Sequence, residues 1–346
     1  MGIKLDVKDR RLLEIFTDNA GLSFGQLAKQ VGLSREVVAY RLKRLKKSGI
    51  LQKVVARVDM TKFYSSAYIM YLRFNRLDKD VLNQAAEFFI KNPYVMWAAS
   101  LSGEYDIGTS FLARGPKDLA DFMSSMERAF GSNLREYDLF PYDRELKNTY
   151  KVYFLQKPAV LSEALLQPKV VVDLKLDDRD KLLLYALSQD AELTNRQLSS
   201  LIGLSEEAVR LRKRGYEQSG IINGYRGIID FSKLGLSAYY VFLKFGNVNP
   251  ALEKKIETFV QLNNNIQYCS KIIGKFNIQA CIWSFSPIHY QSILQEIRNT
   301  FCDSLLEFRS QIIFKEHKHT YFPPAAIADV DIKKVDNFLA YGHMHS

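Results

Sequence analysis

The chain has 346 residues, 47% apolar and 25% charged, which is the composition of a folded globular protein rather than a disordered one. Lys plus Arg outnumber Asp plus Glu by 48 to 38, and the net charge of +10 points to an acidic partner such as nucleic acid or a membrane surface. No run of about 18 apolar residues is present to span a bilayer, Met1 to Asp6 does not read as a signal peptide, and Cys269, Cys281 and Cys302 are odd in number, so the expectation is a reducing cytoplasm with the cysteines in the core.

Residues 6–18 carry Leu12, Leu13 and Phe16 at helical spacing behind an acidic Asp6 that can cap them. A short helix over 23–31 opens at Ser23 and closes at Gly32. A third starts at Ser34 and runs through Val38, Leu42 and Leu45 until Gly49 ends it. The period then changes to two across Ile50 to Val58, as for a short strand pair. Three helices and a β-wing describe a winged helix-turn-helix. Further on, a strand is predicted over 66–75, a helix over 79–91, strands over 94–101 and 107–114, a helix over 116–130 opened by Pro116, and a strand over 134–142. That order, βαββαβ, is the ferredoxin-like plan.

The pattern then repeats. At an offset of 171, residues 5–50 match 176–221 at 18 of 46 positions, and Asp59/Asp230, Gly103/Gly274 and Pro116/Pro287 keep the register without a gap. A period this long is a duplicated pair of domains, because solenoid units run to roughly 20 to 50 residues. The chain therefore divides into an α+β arrangement of winged helix-turn-helix 1–60, ferredoxin-like domain 61–150, connector 151–175 with Pro158 and Pro168, winged helix-turn-helix 176–231, ferredoxin-like domain 232–323, and a tail 324–346 with one short helix around 333–340.

These modules resemble the leucine-responsive/asparagine-operon regulator (Lrp/AsnC) family of bacteria and archaea. The resemblance rests on Leu5-Asp6 with Asp9 and Leu12-Leu13, on Gly32-Leu33-Ser34, on Val38 with Tyr40-Arg41-Leu42-Lys43-Arg44-Leu45, on Ser48-Gly49-Ile50, and on Gly103-Glu104-Tyr105-Asp106, which looks like the family's Gly-x-Tyr-Asp signature. It implies a regulator that binds double-stranded DNA, senses a small effector such as an amino acid, and dimerises through its sensing modules. The departure is the fusion of two copies, which implies an intramolecular pseudo-dimer, alone or in a higher homo-oligomer, reading an asymmetric site.

Charge separates the copies. Residues 1–58 hold 13 Lys plus Arg against 5 Asp plus Glu, whereas 172–229 hold 9 against 9. The first recognition helix supplies Ser34, Arg35, Tyr40, Arg41, Lys43, Arg44 and Lys47 as candidate DNA contacts, and cations at this density can neutralise phosphates. Tyr40 can fill a groove or pack on the wing. The second helix offers Arg210, Arg212 and Arg214, but opens with Glu206 and Glu207, puts Lys213 at the position of Leu42, and puts Gly215 at that of Arg44. The first winged helix is therefore expected to dominate DNA binding.

Gly103, Tyr105 and Asp106 are the effector-binding candidates that the resemblance implies, while their plain structural reading is a hairpin turn. The second copy reads Gly274-Lys275-Phe276-Asn277 and loses both carboxylate and phenol. His317 with His319 and His343 with His345 make only incomplete zinc sets, so neither metal nor cofactor is expected. No nucleophile with a base, phosphate-cradling loop or useful carboxylate pair suggests an enzyme. Siroheme decarboxylases resemble the same two-module plan, sometimes as fused pairs, and supply the alternative reading. Those enzymes carry histidines near the sensing loop, where residues 94–111 and 266–283 have none.

Overall fold

Asp6, Ser23 and Ser34 each stand in extended backbone directly before a helix, and each side chain accepts a backbone N–H from the first turn. The helices so opened are α1 (Val7–Asp18), α2 (Phe24–Val31) and α3 (Arg35–Lys47). Such caps are worth about 1 kcal/mol apiece. Gly32 ends α2 at φ +69°, a left-handed conformation that glycine adopts without a Cβ clash. Leu12, Leu13, Phe16, Leu27, Val31, Val38, Leu42 and Leu45 close the core between them. The second copy repeats this with Asp177, Thr194 and Ser205 before α6 (Asp178–Gln189), α7 (Asn195–Ile202) and α8 (Glu206–Gln218). The computed structural model describes residues 5–64, 66–150, 176–327 and 330–342. The predicted connector over 151–175 lies outside them.

The expected strand pair over 50–58 is instead one strand, β1 (Leu51–Val58), whose antiparallel partner is β6 (Ile222–Ile229) of the other copy, with Leu51 opposite Ile229 and Val58 opposite Ile222. A period of two reads alike for one strand and for two shorter ones, and no Gly, Pro or Asn interrupts 51–58 to turn the chain back. The remaining ties are reciprocal: Ala20 N–H donates to the Tyr225 carbonyl at 3.0 Å, and its counterpart Ala191 to that of Val54 at 2.8 Å. Each winged helix is thus completed by the other.

The ferredoxin-like units run β2 (Ser66–Phe74), α4 (Lys79–Lys91), β3 (Val95–Ser102), β4 (Ile107–Ala113), α5 (Pro116–Phe130) and β5 (Leu134–Asn148), then β7 (Ser237–Phe245), α9 (Pro250–Leu262), β8 (Ile266–Ile272), β9 (Ile278–Ser284), α10 (Pro287–Thr300) and β10 (Leu305–His319). Their sheets, ordered β3-β4-β2-β5 and β8-β9-β7-β10, join through β5–β8 and β10–β3 into a closed eight-stranded barrel. Strand β5 runs six residues past the predicted 142 because 143–148 continue onto β8, with Asn148 opposite Tyr268. Closure leaves no unpaired sheet edge. The interior is filled by rings, with Tyr71 4.8 Å from Phe242 and 5.4 Å from Tyr105, and with Phe140 and Phe276 beside them.

At each seam a lysine, buried at 147 and half-buried at 318, reaches into the partner copy's helix end. Lys147 Nζ donates to the Val260 and Asn263 carbonyls at 2.9 and 2.8 Å, and Lys318 Nζ to that of Asn92 at 2.7 Å. Ammonium groups there answer the negative end of the α9 and α4 dipoles, while burial pushes both lysines down to about 8. Half-buried His317, 2.6 Å from Ser100 Oγ across the β10–β3 seam, is held below its ordinary pKa by burial and by Lys315. The unfolded chain therefore takes up this proton first as pH falls through about 6.5, so stability drops with pH in that window and is full above it. Urea titrations from about pH 5 to 7 should show a flatter pH slope for His317→Gln. A slope equal to that of the unaltered chain would contradict the assignment.

A final helix, α11 (Lys333–Gly342), packs Val335 into the core of the second winged helix and accepts a 2.8 Å hydrogen bond from Tyr185 at Asp336. Cys269 and Cys281 are buried as expected, but Cys302 is exposed in the turn after α10. No helix among the described residues is long and apolar enough to cross a membrane.

Candidate nucleic-acid interface

Helix α3 divides its residues by depth. Val38, Leu42 and Leu45 point into the core, whereas Arg35, Glu36, Val37, Tyr40, Lys43 and Lys47 are exposed. Ser34 lies at the open N-terminus with its Oγ accepting the Val37 N–H at 3.3 Å. Tyr40 is 67% exposed, so of its two readings the structure takes the one pointing outward, away from the wing. Arg35, Lys43 and Lys47 make no ion pair among the described residues.

Arg41 and Arg44 behave differently from the other candidates. Arg41 Nη1 bonds Asp6 at 2.7 Å and Asp9 at 2.8 Å, and Arg44 bonds the other Asp9 oxygen. The Asp9 side chain is fully buried, so its charge requires these partners. Burial raises the Asp6 carboxyl, but hydrogen bonds from Arg41 and from the Asp9 backbone outweigh it and hold the group below its ordinary range. The two arginines thus bind the recognition helix to α1, and the outward cationic face narrows to Arg35, Lys43 and Lys47. Lys46, for its part, pairs across the copies with Glu192.

On α8 the homologous tie survives: Arg212 bonds Asp177 at 2.8 Å and Asp180 at 2.6 Å, which holds the Asp177 carboxyl well below the usual range. Arg210 is engaged by Glu207 one turn back. Lys213 is half-buried, its amine lowered by burial, and reaches toward Asn195 Oδ1 at 3.5 Å, as a snorkelling lysine does. Exposed positions on this helix read Glu206, Glu207, Leu211, Arg214, Glu217 and Gln218 where α3 has Arg35, Glu36, Tyr40, Lys43, Lys46 and Lys47. One outward cation, Arg214, stands among three carboxylates, Glu206, Glu207 and Glu217.

The sensing-loop candidates are built into the barrel. Gly103 has φ +142°, and a Cβ there would lie 3.0 Å from Gln311 Cβ on β10 of the other copy, so the close approach needs glycine. Tyr105 is buried with its hydroxyl on Asp138, and Asp106 accepts the Phe74 N–H at 2.8 Å. In the second copy Asn277 accepts the Phe245 N–H at 2.5 Å. His319 stands 3.5 Å from Glu316, and no group of three or more His, Cys, Asp or Glu among the described residues is placed to hold a metal. His343 and His345 lie outside the described residues.

Sequence reasoning missed Arg226. This wing residue stands where the first copy has Val55 and is fully buried, donating to the Asn148 carbonyl at 2.7 Å and to the Tyr321 hydroxyl at 3.0 Å, with Asp18 at 3.5 Å and the Tyr150 ring at 5.1 Å. It joins the wing, α1 and the end of β5. An arginine at the position where the repeat puts Val55 was the available signal.

Residues 5–52 match the winged helix-turn-helix DNA-binding family, and residues 176–217 the AsnC-type helix-turn-helix domain. The transcriptional regulator AzlB of Bacillus subtilis is 30% identical over 135 residues, 38% of this chain and 80% of AzlB. The HTH-type transcriptional regulator LrpA of Pyrococcus abyssi is 33% identical over 112 residues, 32% of this chain and 76% of LrpA. Over its full length the chain shares a fold with the siroheme decarboxylase NirDL, at 14% identity and TM-score 0.57, covering 97% of this chain and 98% of that one. The duplicated helix-turn-helix units, their pairing through one barrel and these relatives place the chain in the Lrp/AsnC family of DNA-binding transcriptional regulators, as a tandem duplication.

Proposed function

We propose that this regulator acts in the cytoplasm as a non-enzymatic, sequence-specific reader of double-stranded DNA, with the first winged helix dominant. The observation that carries this is the contrast between two homologous exposed faces: Arg35, Glu36, Tyr40, Lys43 and Lys47 on α3 against Glu206, Glu207, Leu211, Arg214, Glu217 and Gln218 on α8. With few phosphate contacts on the α8 side, the site read by the pair is asymmetric. Ser34, at the helix N-terminus, is placed to meet a phosphate through the backbone N–H groups beside it. Titration of genomic DNA fragments with the full chain at about 50 and 200 mM salt tests the reading, since binding through phosphates weakens steeply over that range. Absence of binding at both concentrations would remove it.

The reading retains a small-molecule effector of the amino-acid class at the Gly103–Asp106 loop, supported by family membership and by the loop's position where one copy meets the other. Thermal-shift measurements against the amino acids test this part. The fold shared with a siroheme decarboxylase supports a different chemistry, against which stand the histidine-free segments 94–111 and 266–283 and the ring-filled barrel. The visible spectrum of added haem or siroheme is expected to stay that of the free tetrapyrrole. A shifted Soret band would move the reading to that class.

A further inference from the structure

Two ion pairs cross between the copies at positions related by the repeat, and their polarities are opposite. In one, Glu104 of the first loop pairs with Arg309 on β10 of the second copy. In the other, Lys275 of the second loop lies 3.6 Å from Asp138 on β5 of the first copy. The offset of 171 carries Glu104 onto Lys275 and Asp138 onto Arg309, so both members of the contact have reversed sign together. Both strand charges are held in place by neighbours: Asp138 accepts from the Tyr105 hydroxyl, and Arg309 bonds Glu307 at 2.7 Å with its guanidinium 5.5 Å from the Phe276 ring centre.

We infer that these four residues make the two halves fit each other and reject themselves. If a first half met another first half, Glu104 would face Asp138 at both loops. If a second half met another second half, Lys275 would face Arg309 at both. Only the unlike pairing satisfies both contacts. The lysine contacts at the two seams do not discriminate in this way. Lys147 and Lys318 occupy equivalent positions and reach equivalent helix ends, so they support like and unlike pairing equally. Specificity is a difference between affinities, and it needs an element that penalises the wrong partner. The reversed charges are that element, and the partner they select is the second half of this chain, within one molecule or from another copy of it. The duplicated regulator is thereby confined to assemblies in which a DNA-reading first half always carries a second half.

The test uses the full chain. Asp138→Arg with Arg309→Asp leaves the net charge unchanged, makes both contacts like-charged in the unlike pairing, and makes them complementary in like pairings between chains. Adding Glu104→Lys and Lys275→Glu restores complementarity in the unlike pairing, while the loss of the Tyr105 and Glu307 contacts remains common to both variants. After refolding at high protein concentration, the double variant is expected to melt roughly 5 °C below the fourfold variant, or to shift toward twice its mass by light scattering as like halves pair between chains. The fourfold variant should recover the mass distribution of the unaltered protein. Equal melting temperatures and equal mass distributions for the double and fourfold variants would overturn the inference.

Discussion

Replacing Arg35, Lys43 and Lys47 together by alanine should lower the affinity of the full chain for DNA by roughly 100-fold at about 0.15 M salt and flatten the log-affinity against log-salt plot by about 2 to 3 units. The reasoning is electrostatic. These three side chains are exposed on one helix and make no ion pair among the described residues, so each is available to displace a counterion from a phosphate. Removing Arg214 from α8 should cost no more than about threefold and shift the slope by at most about 1, because Glu206 and Glu207 already weaken that face. Fluorescence anisotropy titrations over a salt series measure both quantities. Comparable losses for the two helices would contradict the dominance of the first.

Asp9→Ala should destabilise the first winged helix by about 3 to 5 kcal/mol in urea unfolding, through removal of one partner from a buried ion pair. Two guanidinium groups, Arg41 and Arg44, converge on this carboxylate, which also accepts the Asp6 N–H in the capping box of α1. The same geometry makes charge reversal of Arg41 with Arg44 a poor probe of DNA contact. Two new carboxylates would stand against Asp9, and binding would be lost through loss of the domain. A stable Asp9→Ala protein, within about 1 kcal/mol of the unaltered chain, would show that the arginines find solvent instead and restore them as DNA contacts.

Much of the architecture was legible because it is local. Asp6, Ser23 and Ser34 announce three helix starts, Pro116 opens α5, and the constant offset of 171 transfers every element to the second copy. What escaped depends on the other copy. The wing strand β1 finds its partner 171 residues away on β6, and β5 extends past residue 142 only because β8 is there to receive it. Such pairings leave no local signature, since a strand shows the same alternation whether its partner is near or far. The recognition-helix cations show a related limit. Arg41 and Arg44 are indistinguishable in composition from Lys43 and Lys47, and only helix packing reveals that the first two face α1 and the others face outward. Lys213 was legible in full, because a lysine at an i+4 core position can be accommodated only by extending its amine to the surface.

The central claim is that one chain forms a complete but unequal pair, reading DNA chiefly through its first winged helix. Selection of genomic fragments bound by the purified full-length protein, followed by sequencing, tests this most directly. The account predicts a motif with one strongly constrained half and a second half that is weakly constrained or absent. An inverted repeat with two equally constrained halves, spaced by about one helical turn, would contradict it.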